Sequence, residues 1–247
     1  MKLAGKSAIV TGAGRDIGAA AAIKLASEGA SVAINYFASS AGADEVVAKI
    51  KENGGAAFAL QGDLTQQYNV DALVNKTVAE FGAIDVLVNN AGGLVARKKI
   101  AESSLEHWRY VMDLNLTSNF MMTHACLAHM KSGTIVNLAS QAARDGGGAG
   151  SVPYATSKGA IMTLTRGLAK EIGPDIRVNG LCPGMIDTDF HNIHTPDAGR
   201  RGFEAAAPMK RQGNVEDVAN LVLFLACDDS AFVTGANIDL NGGMLFS

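Results

Sequence analysis

Short apolar runs alternate with longer stretches of helical periodicity along the whole chain. Ser7 to Thr11, Ser31 to Asn35, Phe58 to Gln61, Asp85 to Val88, Thr134 to Leu138, Ile176 to Leu181 and Asn237 to Leu240 read as seven short strands. Between them the periodicity predicts helices from Ile17 to about Glu28, Gly42 to about Asn53, Val70 to Phe81, Leu105 to Met130, Tyr154 to Ile172 and Val215 to Ala226. Gly29, Gly82 and Gly173-Pro174 stand where three of these helices should stop. Strands alternating with helices at this spacing predict an α/β fold: a doubly wound, seven-stranded parallel sheet with helices on both faces. The chain shows no internal repeat and no low-complexity linker, so one domain over residues 1–247 is expected.

In such a sheet a ligand binds outside the carboxyl ends of the strands. Asp63, Asn90, Ser140 and Pro183-Gly184 all follow strand ends and should converge on one crevice. The first strand runs directly into Gly12-Ala13-Gly14-Arg15-Asp16-Ile17-Gly18. Glycines there let backbone amides approach a pyrophosphate, and the helix that follows offers unpaired N–H groups and the positive end of its dipole. A nicotinamide dinucleotide is the expected cofactor. The second strand ends Ile34-Asn35-Tyr36-Phe37-Ala38-Ser39-Ser40, without the carboxylate that usually binds the ribose hydroxyls of NAD. Arg15 and Ser39 are instead suited to a 2′-phosphate, which favours NADP(H) with NAD(H) as the alternative.

Tyr154 and Lys158 are four residues apart, one helical turn, on one face of the predicted helix. A phenol ionises near ~10 when unperturbed, and a neighbouring ammonium would bring it toward the working range. Ser140, arriving from the fifth strand, is placed to hydrogen-bond a substrate oxygen. Together these groups suit interconversion of a carbonyl and an alcohol.

Composition narrows the alternatives. A net charge of −3 with no basic run argues against a nucleic-acid surface, and 48% hydrophobic with 18% charged residues is ordinary for a globular enzyme. No stretch approaches the ~18 apolar residues of a membrane span, and the start lacks the long apolar core of a signal peptide. Cys126, Cys182 and Cys227 have no paired spacing, so reduced thiols, a cytoplasmic location and no metal site are expected.

Over essentially its full length the chain resembles the short-chain dehydrogenase/reductase family. The resemblance rests on Thr11-Gly12 through Gly18, Asp63, Asn89-Asn90-Ala91-Gly92, Asn115, Ser140, Tyr154 to Lys158, and Pro183-Gly184 through Thr188. It implies that Tyr154 is the general acid in ketone reduction, that Ser140 holds the carbonyl oxygen, and that Lys158 lowers the tyrosine pKa and holds the nicotinamide ribose. Asn115 would kink its helix and position a water that relays protons to Lys158. Asp63 would contact the adenine, Asn90 the adenosine-side ribose, and Ile186 and Thr188 the nicotinamide, with Leu64, Ala91, Gly92, Pro183 and Gly184 also binding the cofactor. Asp16 departs from the small residue usual in that turn; a cap on the helix beginning at Ile17 is the expected explanation.

Length and the closing Asn241-Gly242-Gly243 resemble 3-oxoacyl-acyl-carrier-protein reductases. The segment after the tyrosine helix, Gly173-Pro174-Asp175, nevertheless lacks the basic residues that would dock an acidic carrier. Arg97, Gln141, Arg144, Asp145, His191 and His194 are candidates to face the substrate, with Arg97 and Arg144 pairing with a carboxylate. A small polar keto-sugar or keto-acid is therefore the expected substrate, a carrier-bound 3-oxoacyl thioester the alternative, and a non-catalytic dinucleotide sensor the reading from another class. Residues 190–209 are expected to form a mobile flap, and the small and apolar faces of the two long helices suggest a homotetramer.

Overall fold

The computed structural model describes residues 1–246. Its seven strands are β1 (Ser7–Val10), β2 (Ser31–Tyr36), β3 (Ala57–Gln61), β4 (Val86–Asn89), β5 (Gly133–Leu138), β6 (Ile176–Pro183) and β7 (Asn237–Leu240). They form one sheet in the order β3-β2-β1-β4-β5-β6-β7, and every neighbouring pair is parallel. The order reverses between β1 and β4, which opens a crevice at the carboxyl ends of those two strands.

Because side chains alternate along a strand, each apolar run supplies both faces of the sheet. Ala8, Val10, Val32, Ile34, Val86 and Val88 face one buried cluster. That cluster is covered by α1 (Asp16–Ser27), α2 (Ser40–Glu52) and α10 (Val215–Ala226). Ile9, Ala33, Leu87, Ile135 and Val178 face the other, beneath α3 (Gln67–Phe81), α5 (Ser118–Leu127) and α7 (Val152–Glu171). The expected architecture is therefore the observed one.

The expected helix over 105–130 is interrupted. It comprises α4 (Leu105–Met112), a π-helical turn over Asp113–Thr117, and α5. Two regions with no predicted helix carry short ones: α6 (Ala142–Asp145), just before Gly146-Gly147-Gly148, and α8 (Asp189–His194) with α9 (Asp197–Ala206) across the expected flap. Arg200 anchors that segment by pairing with Asp187 and bonding Gln212 Oε1 at 3.0 Å. Among the described residues no helix is long and apolar enough to cross a membrane.

Beneath the crevice lies a buried polar group that crosses the sheet. Asn89 Nδ2 is 3.0 Å from Asn137 Oδ1, 3.1 Å from Thr123 Oγ1 and 3.3 Å from Asn119 Oδ1. Asn137 Nδ2 in turn donates to Thr165 Oγ1 at 3.0 Å. These side chains join β4 and β5 to α5 and α7 in the interior, where hydrogen bonds are strong and their loss costly.

Candidate active site

A cavity of about 680 Å³ opens at the carboxyl ends of the strands, between the glycine turn, the β4 and β5 ends, α7 and α8. Gly12, Arg15, Asp16, Ile17 and Gly18 line its first side. The turn is packed so closely that side chains are excluded: a Cβ on Gly18 would lie 2.4 Å from Gly12 O, and one on Gly14 2.8 Å from Ser39 O. Asn90 fixes the turn from β4, its Nδ2 donating to Thr11 O at 2.9 Å and to Gly12 O at 3.0 Å. Ala91 N–H donates to Thr11 Oγ1 at 2.9 Å, so both residues shape the turn as well as following β4.

Asp16 does not cap α1. It begins the helix at φ 52, and Arg15 is the residue before it, without a side-chain cap bond. Its Oδ1 accepts the backbone N–H of Asp189 at 3.3 Å instead. Burial pushes the Asp16 carboxyl up, partly opposed by that hydrogen bond and by Arg15.

Behind the β4 end, Asn115 is fully buried in the π-helical turn. Its Nδ2 donates to Val111 O at 2.9 Å and to Gly93 O at 3.0 Å, and its Oδ1 accepts Gly93 N–H at 2.9 Å. The side chain thus satisfies backbone groups that a π turn and a glycine loop leave open. Asn115→Leu is expected to cost roughly 2–4 kcal/mol, because it strands buried polar groups. A urea midpoint equivalent to less than ~0.5 kcal/mol would show that backbone alone sets the turn.

Ser140, Tyr154 and Lys158 meet in the cavity wall. β5 delivers Ser140 two residues beyond its end, and Pro153 in the first turn of α7 brings Tyr154 and Lys158 onto its cavity face. Burial raises the Tyr154 phenol above its ordinary value, and the neighbouring Ser140 hydroxyl opposes part of that rise. Lys158 Nζ donates to Leu138 O at 2.6 Å and lies 5.8 Å from the Tyr154 ring centroid. Burial lowers the Lys158 ammonium to about 8. The ammonium thus sits beside the phenol while held by a backbone carbonyl.

Pro183, Gly184, Ile186 and Thr188 line the far side. Gly92 lines the cavity beside Lys158, while Tyr36, Ser39, Asp63 and Leu64 lie outside it at the ends of β2 and β3. Asp63 Oδ1 accepts both Thr65 N–H at 2.9 Å and Thr65 Oγ1–H at 2.8 Å, forming a turn. Leu64 is buried in the core under α3.

The substrate candidates divide. Arg97, Gln141, Asp145, His191 and His194 line the cavity, whereas Arg144 does not. Arg144 is turned away to β7, its Nε 2.6 Å from Asp239 Oδ1 and its Nη2 2.7 Å from Asn237 O. With a half-buried carboxylate already opposite it, Arg144 holds α6 to the sheet; the expectation that it binds substrate is corrected. Arg97 donates only to backbone, to His194 O at 3.0 Å and Ala149 O at 3.1 Å, and has no ion-pair partner among the described residues. Gln141 Nε2 bonds Asp145 Oδ2 at 2.9 Å. Burial, with Arg200 and Arg97 nearby, pushes His191 down to about 4, so the ring is neutral at pH 7. Its Nδ1 lies 2.8 Å from Thr195 Oγ1.

Two wall residues escaped sequence reasoning. Phe190 of α8 stacks over the site, its ring centroid 5.9 Å from that of Tyr154 and 5.1 Å from those of His191 and His194. Val95 has φ 66, an outlying conformation for a β-branched residue, and faces the cavity. Nothing in the local sequence signals the Val95 backbone; the Phe-His spacing in α8 was the readable sign of an aromatic lid.

A Gly-rich turn and a Ser-Tyr-Lys group lining one cavity at a topological switch point define a dinucleotide-dependent enzyme class. The chain belongs to the short-chain dehydrogenase/reductase family, whose members are NAD(P)-dependent oxidoreductases acting on CH–OH groups. A family model described as Enoyl-(Acyl carrier protein) reductase matches residues 12–245. The chain is 39% identical, over 98% of its own length and 98% of the relative's, to a 3-oxoacyl-[acyl-carrier-protein] reductase of Synechocystis sp.. A solved blue fluorescent protein from a metagenomic library, in complex with NADPH, is 34% identical with a TM-score of 0.93, covering 100% of both chains. A 7α-hydroxysteroid dehydrogenase complexed with NADH and 7-oxo glycochenodeoxycholic acid is also 34% identical, with a TM-score of 0.92 over 98% of this chain and 95% of that one.

Proposed function

We propose that this chain is an NADP(H)-dependent reductase of a small polar carbonyl compound, with Tyr154 as its general acid/base. The observation that carries the reading is the convergence of Ser140, Tyr154 and buried Lys158 in the wall of the cavity that the glycine turn also lines. The side-chain-free cradle at Gly12, Gly14 and Gly18 fits a dinucleotide pyrophosphate. When bound, the nicotinamide supplies or accepts the hydride.

The chain's own residues handle the oxygen and its proton. Ser140 Oγ–H donates to the substrate oxygen, and the protonated Tyr154 phenol gives up its proton as the alcohol forms. The charged Lys158 stabilises the phenolate left behind and holds the nicotinamide ribose; Asn115, in its π turn, positions a water toward Lys158. Arg15, Tyr36 and Ser39 serve the 2′-phosphate end, Asp63 and Leu64 the adenine, Asn90, Ala91 and Gly92 the adenosine side, and Pro183, Gly184, Ile186 and Thr188 the nicotinamide. Residues 190–209 form the moving flap, with Phe190 closing over Tyr154 to exclude water. The assembly is a homotetramer in a cytoplasm.

Among the described residues Arg97 is the cavity arginine without a carboxylate partner, which favours a substrate bearing an anionic group; neutral His191 and Gln141 suit its hydroxyls. NADPH and NADH oxidation would be followed against a keto-uronic acid, a neutral ketose and a 3-oxoacyl thioester. Arg97→Ala is expected to raise KM for the keto-acid about ten- to a hundredfold and to leave a neutral ketose almost unchanged. Equal losses on both would remove the anionic-substrate reading. The second reading, carrier-linked 3-oxoacyl reduction, is favoured by the 39% identical relative's name. Preferential turnover of the thioester would establish it.

A further inference from the structure

Arg15 is the cation that the NADP(H) reading assigns to the 2′-phosphate, yet in this structure its charge is already engaged. Arg15 Nη1 lies 2.9 Å from Asp189 Oδ2 and 3.6 Å from Asp16 Oδ2. Asp16 comes from the glycine turn and Asp189 from the start of α8, so two carboxylates from opposite walls of the crevice flank one guanidinium. The backbone N–H of Asp189 also donates to Asp16 Oδ1 at 3.3 Å, and this second link does not involve Arg15. Asp16 adopts φ 52, a conformation unfavourable for a side-chain-bearing residue, in making these contacts.

The turn that carries Arg15 also packs on the end of β2. A Cβ on the neighbouring Gly14 would lie 2.9 Å from Ser39 Cβ and 3.2 Å from Tyr36 Cβ. Arg15 therefore lies between Asp189, at the start of α8, and the β2 end, to which the NADP(H) reading assigns a 2′-phosphate. One guanidinium that donates to both shares its charge between them, and a carboxylate held at 2.9 Å weakens what the phosphate gains.

Resting on the NADP(H) reading, we infer that Asp189 is a cofactor-specificity residue acting through Arg15: it competes with the 2′-phosphate and limits the preference for NADP(H) over NAD(H). The same exchange links the two ends of the crevice, because the phosphate that captures Arg15 removes one of the two ties holding the start of α8 to the glycine turn. NADH makes no such demand on Arg15.

The test is fluorescence titration of the full chain with NADPH and with NADH at low ionic strength, for wild type, Asp189→Asn, Arg15→Ala and the double variant. Asparagine keeps the size and the backbone N–H of residue 189 and removes only the charge. Both side chains are about half exposed, at 51% and 56%, so the effect is modest. Asp189→Asn should increase the NADPH-over-NADH affinity ratio about three- to tenfold, and added salt should shrink the gain. In the Arg15→Ala background the same substitution should leave the ratio unchanged. In the absence of any dinucleotide, amide hydrogen exchange over residues 189–194 should be faster in Asp189→Asn than in wild type.

A ratio that stays constant or falls in Asp189→Asn overturns the inference, as does an equal rise in the Arg15→Ala background. If wild type binds NADH well but gains nothing from the 2′-phosphate, and Arg15→Ala changes neither affinity, the NADP(H) reading fails while the dinucleotide site stands. Binding of neither dinucleotide would sink the site itself.

Discussion

Tyr154→Phe should lower kcat for carbonyl reduction by roughly a hundred- to ten-thousandfold, while NADPH affinity stays within about threefold of wild type. The substitution removes one hydroxyl from a half-buried ring that remains packed against Phe190. Stopped-flow single turnover with a saturating ketone separates the chemical step from binding. Activity above a tenth of wild type would take Tyr154 out of the chemistry. Loss of NADPH binding together with turnover would assign it an architectural role. The pH dependence adds a second check. Burial keeps the phenol protonated beyond pH 10, so the acid needed for reduction is present across the neutral range. The Lys158 ammonium, at about 8, is lost above that pH. Reduction should therefore be level near neutrality and decline as the pH passes 8.

Lys158→Met should remove most activity and at the same time make the protein more stable at pH 7. Lys158 is 4% exposed, and its ammonium titrates at about 8 in the folded chain against 10.5 for an unperturbed lysine. Below pH 8 the lysine is protonated in both states, and keeping that charge buried is a constant cost to the fold. Between 8 and 10.5 the unfolded chain holds more protons than the folded one, so stability rises with pH through that window. Above it the cost is gone. A depression of this size corresponds to ~3 kcal/mol, of which the unpaired Leu138 carbonyl left by methionine takes back ~1 kcal/mol. The expected net gain of ~2 kcal/mol at pH 7 should be lost, and turn into a small deficit from the unpaired carbonyl, when melting is repeated near pH 10.5. Destabilisation at pH 7 would show that the lysine's hydrogen bond outweighs its desolvation. A kcat within tenfold of wild type would separate Lys158 from catalysis.

Much of this architecture could be read from the sequence because its signals are local. A parallel strand covered on both faces needs consecutive apolar residues, and Ala8-Ile9-Val10 or Val86-Leu87-Val88 supply them wherever the chain is cut out and read. Gly18 and the Tyr154–Lys158 spacing are local in the same sense: each follows from a few neighbouring bonds. What was misread depends on residues far away in the chain. Arg144 is drawn from the cavity by Asp239, ninety-five positions on, and only the pairing of β6 with β7 brings the two together. Asp16 has the residue type of a helix cap but meets the N–H of Asp189, across the crevice. Lys158 has the spacing to meet Tyr154, and its spacing gives no sign of its second partner, Leu138 O on β5. The 105–130 region differs: periodicity predicts one continuous helix, and only the family resemblance implies the kink that the π turn makes at Asn115. Helical periodicity survives a π turn almost unchanged, and the break at Asn115 is fixed by Gly93, outside the helix.

The amide group beneath the crevice bears on how this chain avoids wrong structures. Apolar strands such as Val86-Leu87-Val88 and Ile135-Val136 are nearly self-similar when shifted by one position, so apolar burial discriminates weakly between registers. Asn89 and Asn137 are partners in the β4–β5 register, and both are joined to side chains from α5 and α7. A one-residue slip would send Asn89 to the opposite face, away from Asn119, Thr123 and Thr165, and strand several amides in the dry interior. The penalty falls mainly on the misaligned sheet; in the correct one only Asn89 Oδ1 of this group lacks a partner among the described residues. Two asparagines thereby act as a proofreading mark for strand alignment, directly under the residues whose spacing chemistry depends on.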